Sequence, residues 1–121
     1  MTVRCIALLD AFGEPCTGSQ NAWLTLGREY YVLEIECKAS EMFMRVLADD
    51  GITPILQSAR AFTMVDATIP KLWDIRADAA DPLVLTLGPR AWTNAFWGRF
   101  FESDDESRAV FERVSYEMRS T

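Results

Sequence analysis

Residues 24–37 read LTLGREYYVLEIEC and carry the most regular side-chain pattern in the chain. In the second half of this stretch, apolar side chains occupy every other position: Tyr31, Leu33, Ile35 and Cys37. The positions between them are Val32, Glu34 and Glu36. Because successive side chains of a β-strand point to opposite faces, a period of two predicts a half-buried strand. In this interpretation Glu34 and Glu36 face water.

Shorter apolar runs bounded by turn residues predict further strands around this one. They cover residues 3–9, 42–48, 52–56, 60–65 and 83–87. Asp49-Asp50-Gly51 is a strong hairpin signal, because glycine takes a positive φ without steric cost and aspartate tolerates it. Pro54 has no amide hydrogen to donate to a neighbouring strand, so the strand over 52–56 is expected at an edge. Short antiparallel strands with tight turns favour a small barrel or a strongly bent sheet.

Two helices are predicted in the last third of the chain. Residues 91–101 are dense in aromatic side chains, at a spacing that suits a short helix packed on the sheet. Ser103 and Glu106 have capping-box spacing, in which the two side chains satisfy backbone amides at the start of a helix. Beyond them, the apolar residues at helical spacing are Val110, Phe111, Val114 and Met118. We therefore expect a C-terminal helix with one apolar stripe on the sheet.

The length of 121 residues is typical of one domain, which we expect to span 1–121. Its β-rich part is expected over about residues 1–66. A loop, the aromatic segment and the C-terminal helix are expected over about residues 67–121. No apolar run approaches the ~20 residues of a membrane-spanning helix. The N-terminus also lacks the apolar region and cleavage site of a secretory signal, so we expect a cytoplasmic protein.

The sequence offers little catalytic chemistry. It contains no histidine, the commonest general base and the commonest metal ligand. Its three cysteines are odd in number and lack CxxC spacing, which argues against a disulfide framework and a zinc site. The acidic residues that might hold a cation, Asp49 and Asp50 or Asp74, Asp78 and Asp81, lack the spacing of a calcium-binding loop. We predict no catalytic residue, cofactor or metal; an enzyme that uses metal or carboxylates is the less favoured class.

The formal net charge of −6 argues against nucleic acid as a ligand, because phosphate is bound by clustered Lys and Arg. An acidic surface instead suits a basic protein partner, although solubility alone also explains such a charge. The residues expected to meet the partner are Glu34, Glu36, Asp49, Asp50, Glu102, Asp104, Asp105 and Glu106. The oligomeric state is left open.

Three segments carry a resemblance to a known family. They are WLTLGREYYVLEI at 23–35, FTMVD at 62–66 followed by IPKLW at 69–73, and PRAW at 89–92 with the aromatic and acidic residues that follow. Together they resemble small bacterial immunity proteins encoded at polymorphic toxin and contact-dependent growth inhibition loci. The resemblance implies a cytoplasmic, non-enzymatic protein that binds a cognate toxin domain and covers its active site or an adjoining surface. It supplies no catalytic residues.

The strand entry GREYYV at 27–32 also resembles SH3-like barrels. The expected fold is therefore α+β, a small, strongly bent antiparallel sheet or SH3-like barrel with a C-terminal helix packed on it. The alternative function is an SH3-like module that binds a peptide or protein in an aromatic groove. That alternative requires several of Tyr30, Tyr31, Trp73 and Trp92 to be exposed together.

Overall fold

The computed structural model describes residues 1–18, 20–78, 83–92 and 94–120. Its strands are β1 Thr2–Cys5, β2 Glu29–Lys38, β3 Glu41–Leu47, β4 Pro54–Ser58, β5 Phe62–Asp66, β6 Trp73–Asp78 and β7 Val84–Pro89. Its helices are α1 Asn94–Phe101 and α2 Asp105–Ser120. All strand pairs in the described residues are antiparallel. The fold is α+β, as predicted.

The long strand β2 is the centre of the sheet, because it pairs with three neighbours. One edge pairs with β3 from Val32 to Lys38. The other edge is shared, since residues 29–31 pair with β1 and residues 35–38 pair with β7. Beyond these neighbours lie β4 next to β3, β5 next to β1 and β6 next to β7. The sheet branches at β2 and is not closed, so a barrel is not observed.

The predicted hairpin at Asp49-Asp50-Gly51 is confirmed. Gly51 has a φ of +76°, and the carboxylate of Asp50 accepts hydrogen bonds of 2.9 Å from the amides of Ile52 and Thr53. The following strand, β4, begins at Pro54 and pairs only with β3 in the described residues. Its edge position, expected from that proline, is also confirmed.

Strand β6 is a feature that the sequence analysis does not predict. It pairs with β7 over its whole length, from Trp73 opposite Pro89 to Asp78 opposite Val84. Its sequence, WDIRAD, does alternate apolar and polar side chains. The indole N–H of Trp73 donates to the sulfur of Met118 at 3.0 Å, which ties β6 to α2.

The two predicted helices are present, but the predicted capping box at Ser103 is wrong. Ser103 has a φ of +64° and closes the end of α1, where its amide bonds the carbonyl of Phe100 at 3.1 Å. The amide of Asp104 bonds the carbonyl of Arg99 at 3.2 Å, which completes a Schellman-type ending. Asp104 is the residue that caps α2, because its Oδ2 accepts hydrogen bonds from both the amide and the hydroxyl of Ser107. With so short a connection between the helices, Ser103 ends one helix and Asp104 starts the next.

The buried apolar residues of the described chain form one cluster that joins the sheet to both helices. The aromatic segment is part of it: Trp92 stacks on Phe96 and on Phe111, with ring centroids 6.2 and 5.2 Å apart. The prediction that most of these rings pack in the core is confirmed, although Phe101 is exposed. Neither α1 nor α2 has the length and apolar character needed to cross a membrane.

Candidate functional site

The eight acidic residues predicted to bind a partner lie in three separate places. Glu34 and Glu36 are on β2, Asp49 and Asp50 are in the β3–β4 turn, and Glu102, Asp104, Asp105 and Glu106 are at the junction of the two helices. The structure therefore does not bring them together in one acidic face.

Glu34 departs furthest from its prediction, since only 2% of its surface is exposed. Its Oε1 accepts a 3.2 Å hydrogen bond from Nε of Arg45, which lies directly opposite on β3. The β2–β3 register shifts between Val32 and Glu34, which interrupts the alternation on which the prediction rested. Trp92 and Trp97 also line this side of the sheet, so a side chain expected to face water is covered. Glu34 is not part of an exposed acidic surface.

A cleft of about 210 Å³ lies beside Glu34, and we call it the sheet cleft. Its lining residues come from β2, β6, β7 and the aromatic segment: Glu34, Glu36, Arg76, Asp78, Val84, Thr86, Trp92 and Trp97. Burial raises the pKa of Glu34, whereas the Arg45 guanidinium acts in the opposite direction. Gly88 leaves room for this carboxylate, because a Cβ at that position would lie only 3.2 Å from Oε2 of Glu34.

In the β3–β4 turn, Asp49 is only partly exposed and makes several hydrogen bonds. Its carboxylate accepts hydrogen bonds of 2.6 Å from the hydroxyls of Thr25 and Tyr30, and it pairs with Arg28 at 3.1 Å. Burial would raise the pKa of Asp49, but these three contacts outweigh it and leave that pKa below its usual value. Burial and the bond to Asp49 raise the pKa of Tyr30 to about 12. Asp49 therefore fastens the loop before β2 to the β3–β4 turn, and its role is structural.

The junction of α1 and α2 contains both a helix-capping aspartate and exposed carboxylates. Hydrogen bonds from Ser107 lower the pKa of Asp104, consistent with its role as the cap of α2. Glu102, Asp105 and Glu106 are exposed, and none of them makes a side-chain hydrogen bond or ion pair within the described residues. These three side chains are thus available to a partner.

An apolar groove lies between the β3–β4 turn and helix α2, and we call it the helix groove. It has a volume of about 520 Å³ and is lined by Leu47, Gly51, Ile52, Phe100, Arg108, Phe111, Glu112, Ser115, Tyr116, Arg119 and Ser120. Phe100 and Phe111 are buried in its floor, while Ile52 and Tyr116 are 69% and 74% exposed. The buried hydroxyl of Ser115 has no hydrogen-bond partner within the described residues. The groove combines apolar walls with a few polar groups, which is the usual composition of a binding site.

Charged groups surround the helix groove on several sides. Arg108 lies 4.7 Å over the ring of Phe100, and Glu112 and Arg119 also line the groove. Asp50 directly precedes Gly51 at one wall, and Glu102 follows two residues after Phe100. Asp50 and Glu102 are thus close in sequence to residues that line the groove.

Sequence reasoning missed the residues that form the helix groove. Tyr116 lies between the apolar positions Val114 and Met118 of the predicted stripe, on the other side of the helix, and was assigned no role. Ile52 was assigned to a strand, although it lies in the turn before β4. The available signal was Ile52, a large apolar residue directly after the Asp49-Asp50-Gly51 turn, but its exposure is not readable from the sequence.

The alternative of an SH3-like aromatic groove depended on four side chains. Tyr30, Trp73 and Trp92 are buried, and Tyr31 is half-buried with its hydroxyl 3.4 Å from the carbonyl of Met118. These rings pack in the interior and do not form an exposed binding face.

Where the structure describes the chain, no three acidic or thiol side chains are grouped so that they might hold a metal ion. Asp81, one of the acids considered for a cation, lies outside the described residues. No protein-family model, curated protein or solved structure matches the chain.

Proposed function

We propose that this chain is a non-enzymatic immunity protein that acts in the cytoplasm. In this proposal it binds a cognate bacterial toxin domain and covers the active site of that domain or an adjoining surface. The helix groove is the docking surface, and its composition is the observation that carries the proposal.

The groove has the arrangement expected at the centre of a protein interface. Interface centres are apolar and rich in aromatic residues and arginine, and their rims are polar. Here Phe100, Phe111 and Leu47 supply apolar walls, and Tyr116 extends into solvent beside them. A large tyrosine that is 74% exposed gains more from burial by a partner than from any contact within its own chain.

Charge supports a basic partner. The chain carries a formal charge of −6, and the exposed Asp50 and Glu102 lie one and two residues along the chain from the groove residues Gly51 and Phe100. Complementary potentials accelerate association and suppress wrong partners, so these carboxylates would orient a basic toxin domain over the groove. Arg108 and Arg119 then meet acidic or aromatic groups of the same partner at closer range.

The experiment is recovery of the partner with tagged chain from the source organism, followed by inhibition and binding measurements on the purified pair. We expect a toxin domain whose activity is lost in a one-to-one complex. Tyr116→Asp and Ile52→Asp should weaken binding by at least about 30-fold, the loss typical of interface hot spots. Phe12→Asp is the matched control, because Phe12 is 89% exposed and does not line the groove. Equal loss in all three variants, or in none, would rule out the groove as the docking surface.

A further inference from the structure

Acidic side chains from two strands line the sheet cleft. Three carboxylates line it, those of Glu34, Glu36 and Asp78. The guanidinium groups present are that of Arg76 in the lining and that of Arg45 next to Glu34. Of these carboxylates, Asp78 has another interaction and Glu34 pairs with Arg45.

Both guanidinium groups already have hydrogen-bond partners. Arg76 donates to the backbone carbonyls of Pro89 and Trp92 at 2.9 and 3.1 Å. Arg45 bonds Oε1 of Glu34 and lies 3.9 Å over the ring of Trp97. Neither of them forms an ion pair with Glu36, which has no side-chain partner within the described residues.

Three buried polar atoms of the cleft residues also lack partners within the described chain. They are Oε2 of Glu34 and the indole N–H groups of Trp92 and Trp97. A buried polar atom without a hydrogen bond costs free energy, and native proteins rarely keep several of them at one place. One of these atoms is an acceptor and two are donors, so a suitable ligand carries both donors and an acceptor.

We propose that the sheet cleft binds the guanidinium group of an arginine side chain from the protein partner, an inference that rests on the proposed function. The planar guanidinium presents several N–H donors in a fixed geometry, which lets it bond Glu34 Oε2 and the Glu36 carboxylate together. The positive charge of the occupant is attracted to the Glu36 carboxylate, which forms no ion pair within the described residues. A peptide carbonyl next to the same side chain supplies the acceptor for an indole N–H.

The probe is N-acetyl-argininamide, which carries one guanidinium and two carbonyl groups. Binding is followed through the indole N–H resonances of the four tryptophans in a ¹H–¹⁵N NMR titration. We expect the Trp92 and Trp97 signals to shift with a dissociation constant of about 1–10 mM, a reasonable affinity for one side chain. The Trp23 signal should not move, because Trp23 does not line the cleft.

Two related compounds test the chemistry of recognition. N-acetyl-citrullinamide has nearly the same shape but no charge, and N-acetyl-lysinamide keeps the charge without the planar donors. We expect at least tenfold weaker binding of the citrulline compound and about threefold weaker binding of the lysine compound. Equal binding of the arginine and citrulline compounds would overturn the assignment to a cation.

Variants of this chain test whether Glu34 and Glu36 bind the arginine probe. Glu36→Gln should weaken binding of the arginine probe at least fivefold, whereas Glu14→Gln, an equal change of charge outside the cleft, should leave it unchanged. Glu34→Gln should abolish binding, but it also disturbs Arg45, so Glu36→Gln is the decisive variant. If the probe shifts no indole signal at 50 mM, the cleft does not recognise arginine. That result leaves the partner-recovery experiment unaffected, so failure of this inference can be distinguished from failure of the proposed function.

Discussion

Arg45 donates a 3.2 Å hydrogen bond from Nε to Oε1 of Glu34, and both side chains are almost fully buried. The two residues lie opposite each other on β3 and β2, in the middle of the sheet. The guanidinium of Arg45 also covers the ring of Trp97 at 3.9 Å. Burial lowers the pKa of Arg45 and raises that of Glu34, and in both cases the partner's charge opposes the shift. This ion pair joins the sheet to the aromatic segment.

Breaking this ion pair is expected to be costly, because it leaves a buried charge without a partner. We predict that Arg45→Met lowers the free energy of unfolding by about 3–5 kcal/mol. The free energy of unfolding should fall less in the double variant Glu34→Met/Arg45→Met than in Arg45→Met, because the double variant leaves no unpaired buried charge. Urea unfolding of the four proteins of the cycle measures this coupling. Additive losses would show that the two side chains act independently.

The lowered pKa of Asp49 predicts that this residue stabilises the folded protein in a pH-dependent way. Its pKa is lowered in the folded protein from an unfolded value near 3.8, so its contribution is complete above that value. The contribution is lost as the pH falls from 3.8 through the folded pKa. At pH 7, Asp49→Asn should lower the free energy of unfolding by about 1–2 kcal/mol, because charge-assisted bonds from Thr25, Tyr30 and Arg28 are weakened.

The difference between wild type and Asp49→Asn should shrink in urea titrations repeated from pH 7 down to pH 3. Glu14→Gln is the control, because Glu14 is exposed and its side chain has no partner within the described residues. A difference that stays constant over this pH range would contradict the structural role of the Asp49 carboxylate.

At the α1–α2 junction, Ser103 and Asp104 have different roles: Ser103 ends α1 and Asp104 caps α2. Asp104→Ala should lower the free energy of unfolding by about 1 kcal/mol, because it removes the acceptor for the amide of Ser107. Ser103→Gly should stabilise the protein by several tenths of a kcal/mol up to about 1 kcal/mol, since glycine adopts a positive φ without strain. Thermal unfolding of both variants checks the assignment. A larger loss from Ser103→Gly than from Asp104→Ala would restore the capping box at Ser103.

Association with the partner is expected to depend on the exposed carboxylate of Glu102, which follows the groove residue Phe100 by two positions. Glu102→Lys should reduce the association rate constant several-fold at low ionic strength, and the effect should disappear as salt screens the interaction. Glu14→Lys makes the same change of charge on a loop that does not line the groove. Stopped-flow mixing with the purified toxin domain measures both rates. An equal reduction in the two variants would indicate a general charge effect without orientation by Glu102.

Much of the fold follows from local pattern. The alternation in residues 31–37, the Asp49-Asp50-Gly51 turn and the spacing of Val110, Val114 and Met118 each predict an element that the structure contains. Glu34 shows where that reasoning stops, because its burial depends on a register shift and on two tryptophans about 60 residues away in the sequence. The charge of a residue indicates where it prefers to lie, but a partner such as Arg45 reverses that preference.

The candidate site was less predictable than the fold. Acidic residues are easy to recognise in a sequence, and eight of them were predicted to meet a partner. Four of these residues serve the fold: Glu34 pairs with Arg45, Asp49 fastens a loop, Asp50 accepts hydrogen bonds within the β3–β4 turn, and Asp104 caps α2. The helix groove forms where the β3–β4 turn lies next to helix α2. Local sequence patterns do not show which distant segments become neighbours.

The most direct test of the proposed function is hydrogen–deuterium exchange of the chain alone and in complex with its purified toxin domain. The proposal predicts that binding slows exchange at residues 47–53 and 100–120, which form the two sides of the helix groove. Slower exchange confined to other parts of the chain, such as the loop at 10–18 or strand β5, would contradict it and move the docking surface elsewhere.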